Sequence, residues 1–372
     1  MKGCLKKIHE YVPIVPMVLY ALAFVALIIH IISVNSTAFA DFFNIHISSF
    51  FRALLSYATG WLPISVAETI ILSIPISLAA VIIIVVPMAN ESTKKMWRCS
   101  FSILSVIAYL YVSFVFTFAT AYWGSSLEDK LGMTDRAVSA DELYETANYL
   151  IEIVNETADD VYFTSEGYSI MPYSHSELVS KLNDAYDAAA DKYSFIPHLR
   201  SNVKQIVASV PMTYTHIMGV YTFFTGEANL NTNFPNYTQP YTVAHEMSHQ
   251  RGIAPEDEAN FMAFLVCMES DDVYIRYSGA QNLLEYVLSS LRKADSSLYS
   301  ECWYSIDSRI RGEMSAYDDF YDEYSQNVAA TVTSTINNTY LTLQGTEGSK
   351  SYNLVTDLAV VYFCDGFYDA EN

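Results

Sequence analysis

The chain has 372 residues, 52% of them hydrophobic and 14% aromatic, and its 41 acidic against 20 basic residues give a formal net charge of −21. That length supports a sizeable core, and so large an excess of acid argues against nucleic-acid partners or a polybasic membrane-surface role, because phosphate is repelled. The charge is unevenly spread: residues 1–120 carry 7 basic and 4 acidic side chains, whereas residues 121–372 carry 13 and 37, a net of −24.

Three apolar runs occupy the N-terminal third, at about 12–34, 66–88 and 100–120. Each reaches about 20 residues with hardly a charge, enough to cross a hydrocarbon core of roughly 30 Å. They are read as three transmembrane helices of a membrane domain over residues 1–123. Lys2, Lys6 and Lys7 precede the first run, and Lys94, Lys95 and Arg98 separate the second from the third. The positive-inside rule then places the N-terminus in the cytoplasm and the chain beyond Thr120 outside the cell. Ala38-Phe39-Ala40 before Asp41 resembles a signal-cleavage site, but the first run exceeds the roughly 7 to 15 residues of a signal h-region. Between the first two runs, Phe42, Phe43, Ile47, Phe50, Phe51, Leu54, Leu55, Trp61 and Leu62 fall roughly on one side of a helix. An interfacial segment over about 42–62 fits this pattern better than a fourth span, with a short core helix as the alternative. Ionisable groups within the runs are scarce, essentially His30 and Glu68, so the spans read as an anchor and not as an ion path.

Residues 124–372 form the second expected domain. Ser139 with Glu142 makes a capping box, and Leu143, Ala147, Leu150, Ile151 and Val154 recur at helical spacing, so a helix is predicted over Ser139–Thr157. A second is predicted over Ser176–Tyr193. Val220-Tyr221-Thr222-Phe223-Phe224-Thr225 reads as a strand closing at Gly226, followed by a polar loop from Asn229 to Gln239. Beyond Asp272 the pattern is mostly helical, with Leu283, Leu284, Val287, Leu288 and Leu291 on one side. Gly345–Ser349 reads as a loop and Tyr352–Tyr362 as a last helix or strand. The expected fold class is mainly α with a small β-sheet. Of the five cysteines, Cys4 and Cys99 fall on the cytoplasmic side. Cys267, Cys302 and Cys364 allow one disulfide, with Cys267 the buried odd one on an apolar helix, and no pair has zinc-ligand spacing.

The most specific motif is His245-Glu246-Met247-Ser248-His249. On a helix, residues four apart share a face, so both imidazoles can reach one metal ion. Catalytic zinc takes three protein ligands and keeps a position for water, which the intervening Glu246 can deprotonate. Gly252 can end that helix and Pro255 can open the next, whose first turn carries Glu256, Asp257 and Glu258. Glu256 shares a face with Asn260, Ala263 and Cys267, while Glu258 points roughly 200° away. Glu256 is therefore preferred as third ligand, with Glu258 as the alternative and Asp257 read as ordinary helix N-terminal charge. The third histidine of metzincins would fall at Pro255, which excludes that subclass.

His245-Glu246-x-x-His249 followed by Glu256-x-x-Ala259-Asn260 resembles the gluzincin-type zinc metallopeptidases. With Gln250-Arg251-Gly252, Asp257-Glu258, Phe261, Phe224-Thr225-Gly226-Glu227-Ala228-Asn229, Lys350-Ser351-Tyr352 and the three spans, it is more closely similar to an uncharacterised family of bacterial membrane proteins in that superfamily. The resemblance implies a zincin-like extracytoplasmic domain, with His245, His249 and Glu256 as zinc ligands and Glu246 as general base; it implies no particular substrate. Asn260 stands where many gluzincins have aspartate, and its amide oxygen is expected to accept the outer N–H of a ligating histidine.

The sequence thus leads to a membrane-anchored zinc metallopeptidase acting on a peptide or protein. The alternative is an inactive zinc-binding domain that senses an envelope component. The strand beside the motif, Tyr221–Thr225 or Gly226–Asn229, is the candidate for pairing with a substrate backbone, against the reading of an interior strand. Tyr352, Arg276 and His216 are weak candidates for stabilising an oxyanion, and none is assigned. His175, His198 and His216 are read as structural.

Overall fold

The computed structural model describes residues 9–134, 136–325, 327–346, 348 and 354–368, the side chains of residues 89 and 90 excepted. Lys2, Cys4, Lys6, Lys7, Lys350, Ser351 and Tyr352 lie outside the described residues. The architecture is mainly helical with one small three-stranded sheet. The chain divides into two compact units, the first comprising residues 1–124 with Thr222–Glu227 and the second Ser125–Tyr221 with Ala228–Asn372.

The first unit contains α1 (Ile14–Asn35), α2 (Ser49–Gly60), α3 (Val66–Glu91) and α4 (Thr93–Thr117). By length and composition, α1, residues 66–88 of α3, and α4 can each cross a membrane. α1 packs along α4, and α3 packs on α4 as well. Ahead of α2 a short helix, Thr37–Phe42, runs into a π-helical stretch, Phe43–Ser48. The buried Arg52 guanidinium holds this stretch to the end of α4 by donating to Asn44 Oδ1 (2.7 Å) and to the Thr117 carbonyl (2.8 Å). Phe42, Phe50, Leu54, Tyr57 and Trp61 stay exposed, while Phe43, Ser48, Arg52 and Ser56 are buried, so this segment is two-faced.

In the second unit the long helices are α5 (Ala140–Ala158), α6 (His175–Lys192), α7 (Thr238–Arg251), α8 (Glu256–Met268), α9 (Val273–Ala294), α10 (Ser296–Ser305), α11 (Ser308–Ser325), α12 (Val328–Leu343) and α13 (Val355–Cys364). Ser139 and Ser174 close capping boxes with Glu142 and Glu177, which fixes the starts of α5 and α6. α9 is the spine: it packs against α5, α7, α8 and α13, and its Leu283, Leu284, Val287, Leu288 and Leu291 are buried in one core with Leu143, Leu150 and Val154 of α5. Among the described residues, Cys267, Cys302 and Cys364 form no disulfide.

The sheet corrects the expected strand. β1 (Lys204–Gln205) pairs parallel with β3 (Glu227–Leu230), and β2 (Gly219–Thr222) lies on the other side of β3. The predicted strand stops at Thr222 because the chain turns there: Gly226 donates to the Thr222 carbonyl (2.7 Å) with a left-handed φ of 70°. Asn229 and Leu230, expected in a loop, are the buried middle of the sheet, and the Asn229 amide donates to the Val220 carbonyl (3.0 Å).

α8 and α9 approach closely where Gly279 meets Cys267, since a Cβ at Gly279 would overlap the Cβ of Cys267. Gly279→Val is expected to force α9 away from α8 and lower stability by about 1–3 kcal/mol. Thermal unfolding of the purified chain checks this; an unchanged midpoint would show that the contact is not tight.

Candidate metal centre

The site begins with the end of α7. Gly252 takes φ 95° and donates to the His249 carbonyl (3.0 Å), while Ile253 donates to that of Ser248 (3.1 Å), the paired bonds of a Schellman cap. Pro255 is the N-cap of α8, so Glu256 is its first residue and points back at the last turn of α7. Its Oε2 lies 3.2 Å from His245 Nε2 and 3.4 Å from His249 Nε2, with both imidazoles and the carboxylate nearly buried. The two rings are almost perpendicular, with centroids 4.6 Å apart.

These distances fit a metal. Ligands at the usual zinc–nitrogen and zinc–oxygen distances, arranged tetrahedrally, are about 3.3–3.4 Å apart. A direct charge-assisted hydrogen bond is shorter, at about 2.7–2.9 Å. His245, His249 and Glu256 form the one such group of potential ligands among the described residues. Glu258 is not part of it. Glu258 is buried and turned toward the Leu127 backbone, where burial pushes its carboxyl up to about 8; burial likewise lifts Asp257 to about 6.

The outer nitrogens differ. His249 Nδ1 is 2.8 Å from the Ile253 carbonyl, an arrangement that leaves Nε2 facing Glu256. His245 Nδ1 is buried and has no hydrogen-bond partner among the described residues. Asn260 does not take the role expected of it: its side-chain nitrogen reaches Tyr286 Oη at 3.5 Å, while its backbone carbonyl accepts from Tyr241 (2.9 Å). The Schellman turn brings a backbone carbonyl to His249 sooner than a side chain can arrive from the next helix.

Glu246 is buried beside this triad. The backbone N–H of Tyr221 donates to its carboxylate, and Oε2 is buried without a partner among the described residues. Burial pushes the carboxyl up to about 6 against the pull of His245 and His249. Gly219 makes the room for it, because a Cβ there would stand 2.6 Å from Glu246 Oε1 and 2.7 Å from its Cγ. The sequence carried a signal for Gly219, since a glycine leading a β-rich run often marks close approach of another group; the Ile253 carbonyl carried none.

The back of α7 is fixed by other buried polar groups. Tyr186 donates to the Ala244 carbonyl (2.6 Å), and the Arg251 guanidinium stacks 3.8 Å over the Tyr186 ring while donating to the Met247 carbonyl (3.2 Å). His216, with a left-handed φ of 61°, joins Tyr321 and the Tyr324 carbonyl, consistent with a structural role.

Without metal, burial would lower the His249 imidazole, but Glu256 overcomes this and lifts it to about 9. Burial opposes ionisation of Glu256 too, yet the two histidines hold its carboxyl well below the usual range. His249 therefore contributes stability that is complete below its ordinary pKa of 6.5 and is lost as the pH rises through about 9. Glu258, raised from 4.5 to about 8, loses stability in the same direction over that rise, whereas Glu256 matters only in acid, below 4.5. The metal-free chain is expected to melt at a lower temperature at pH 9 than at pH 6.5. Added zinc must displace the His249 proton, so its stabilising effect should grow over the same interval. Calorimetry at the two pH values with and without zinc checks both signs.

No curated protein and no solved structure matches the chain. One family does match, over residues 43–360, and its description reads protein of unknown function (DUF3810). That match spans most of α2–α13 and includes every residue of the triad, so the chain belongs to the DUF3810 family.

Proposed function

We propose that this protein is a membrane-anchored zinc metallopeptidase of the gluzincin-like superfamily that hydrolyses peptide bonds. One observation carries the reading: three potential metal-ligand atoms, all within 4.8 Å of one another, lie beside a buried glutamate with one oxygen unpartnered among the described residues. A purely structural zinc site would close with a fourth protein ligand and would have no use for Glu246.

His245, His249 and Glu256 would hold the ion, which when bound supplies a Lewis acid for a peptide carbonyl and lowers the pKa of water. Glu246 accepts the proton of the attacking water at Oε2 and delivers it to the leaving amine. Burial raises the Glu246 carboxyl, which favours a group that can both take up and return that proton. The Tyr221 N–H fixes the other side of that carboxylate. β2 is at the edge of its sheet, and the pairing of Met218 with Asn231 turns Gly219 away from β3. An extended peptide can add to that edge at Gly219 through backbone hydrogen bonds, without sequence preference. The candidate register shifts from Tyr221–Thr225 or Gly226–Asn229 to the start of β2, because the chain turns after Thr222 and Glu227–Asn229 lie in the central strand.

The three apolar helices support an integral membrane anchor. Lys94, Lys95 and Arg98 in the first turns of α4 support a cytoplasmic N-terminus and an extracytoplasmic second unit. The exposed aromatic face of Phe42, Phe50, Tyr57 and Trp61 supports an interfacial position for that segment.

Glu246→Gln is expected to reduce turnover of a peptide library by about a hundredfold to ten-thousandfold with zinc content unchanged, whereas His249→Ala and Glu256→Gln should lose the metal. Zinc analysis of the full chain in detergent, beside the cleavage assay, checks both; full turnover in Glu246→Gln would refute the mechanism, and a zinc-loaded wild type that cleaves nothing would favour an inert sensor. For sidedness, a cysteine placed by Ser300→Cys in a cysteine-free background should react with an impermeant reagent added to intact cells, and one placed by Lys95→Cys should not.

A further inference from the structure

Glu227 takes no part in the chemistry above, but its surroundings connect it to Glu246. β2 provides two features that hold Glu246: the Tyr221 N–H on its carboxylate and the absent side chain of Gly219. A strand of four residues at a sheet edge is too short to fix itself, so its position depends on how its ends are tied. Upstream, the Met218 carbonyl accepts from Asn231 (2.8 Å). Downstream, the chain passes after Tyr221 into the unit of apolar helices, with which Thr222–Glu227 clusters.

Within that unit the hairpin tip is in contact from Phe223 to Glu227. Tyr109 donates to the Phe224 carbonyl (3.2 Å), while the Thr117 and Thr59 hydroxyls, whose shorter bonds are to carbonyls of their own helices, stand 3.2 Å and 3.3 Å from the Phe223 and Thr225 carbonyls. The Phe223 ring stands edge-on to Phe114 at 5.2 Å. Gly226 sits so close to α2 that a Cβ would lie 2.6 Å from Leu55 Cβ. The Glu227 carboxylate, itself buried, accepts the N–H groups of Val66 (3.0 Å) and Ala67 (2.9 Å) in the first turn of α3. Those amides have no partner within their own helix, and the positive end of the α3 dipole favours the anion, which makes this the strongest of the ties.

We propose that Glu227 is a positioning residue for the metallopeptidase site: by fixing the β2–β3 tip to the start of α3, it keeps the Tyr221 N–H against Glu246. The consequence for turnover rests on the metallopeptidase reading, while the consequence for the hairpin does not. The apolar helices thereby serve the reaction as well as anchoring it.

The test uses the full chain with zinc in lipid nanodiscs. Glu227→Ala removes the acceptor, Gly226→Ala introduces a Cβ at a left-handed φ against Leu55, and Glu227→Gln retains one acceptor oxygen. In the first two variants, hydrogen exchange at the Tyr221 amide is expected to quicken at least about tenfold and kcat/KM to fall by a similar factor, with zinc stoichiometry unchanged; Glu227→Gln should recover most of both. Tyr221 protection equal to wild type in both Glu227→Ala and Gly226→Ala overturns the proposal. A wild type that binds zinc but cleaves no peptide defeats the metallopeptidase reading alone, and Tyr221 exchange still decides the role of Glu227.

Discussion

Two imidazole nitrogens share a single carboxylate oxygen, Oε2 of Glu256, and the geometry of the site follows from that meeting. Helical spacing puts His245 and His249 on one face of α7, but the third group must come from elsewhere. It comes across a reversal of only a few residues, in which Gly252 adopts a conformation that side-chain-bearing residues avoid and Pro255 opens α8. The same turn offers the Ile253 carbonyl to His249 Nδ1. One short turn thus supplies the third ligand and orients the second.

Gathering these charges in a buried place is unfavourable, and the fold compensates in several ways. His249 lies in the last turn of α7, at the negative end of its dipole, and Glu256 in the first turn of α8, at the positive end of the other. The ionised groups stabilise one another, which is why His249 is raised and Glu256 lowered despite burial. Glu246 has weaker support, a backbone N–H and the pull of the histidines, and titrates higher in consequence. Behind the helix, Tyr186 donates to the Ala244 carbonyl and packs its ring under the Arg251 guanidinium, which ties α7 to α6. A carboxylate with one oxygen left free to accept a proton is what proton transfer requires.

Much of this was legible in the residues because it depends on local rules. Capping boxes at Ser139 and Ser174, apolar runs long enough for a bilayer and the four-residue spacing of the histidines depend on neighbours a few positions apart. Glu256 and Glu258 lie on one helix, so their angular separation is local too, and the structure turns Glu256 toward the histidines and buries Glu258 elsewhere. Errors arose where a polar residue had a distant partner. Asn229 looked like loop and is central strand, because its amide is satisfied by Val220. Asn260 looked like a partner for histidine and instead meets Tyr286, from another helix.

The sequence by itself determined the mainly helical class, the three apolar helices and the residues that converge on one point, because helix periodicity and capping act over one or two turns. Only the tertiary structure decided what surrounds Glu246 and how the hairpin is tied. Gly219 and Tyr221 reach Glu246 from about 25 positions away, and Glu227 meets Val66 from 161 positions away. No periodicity carries that information: such contacts exist only once separate helices and strands have packed, and a backbone N–H has no signature in the residue that bears it.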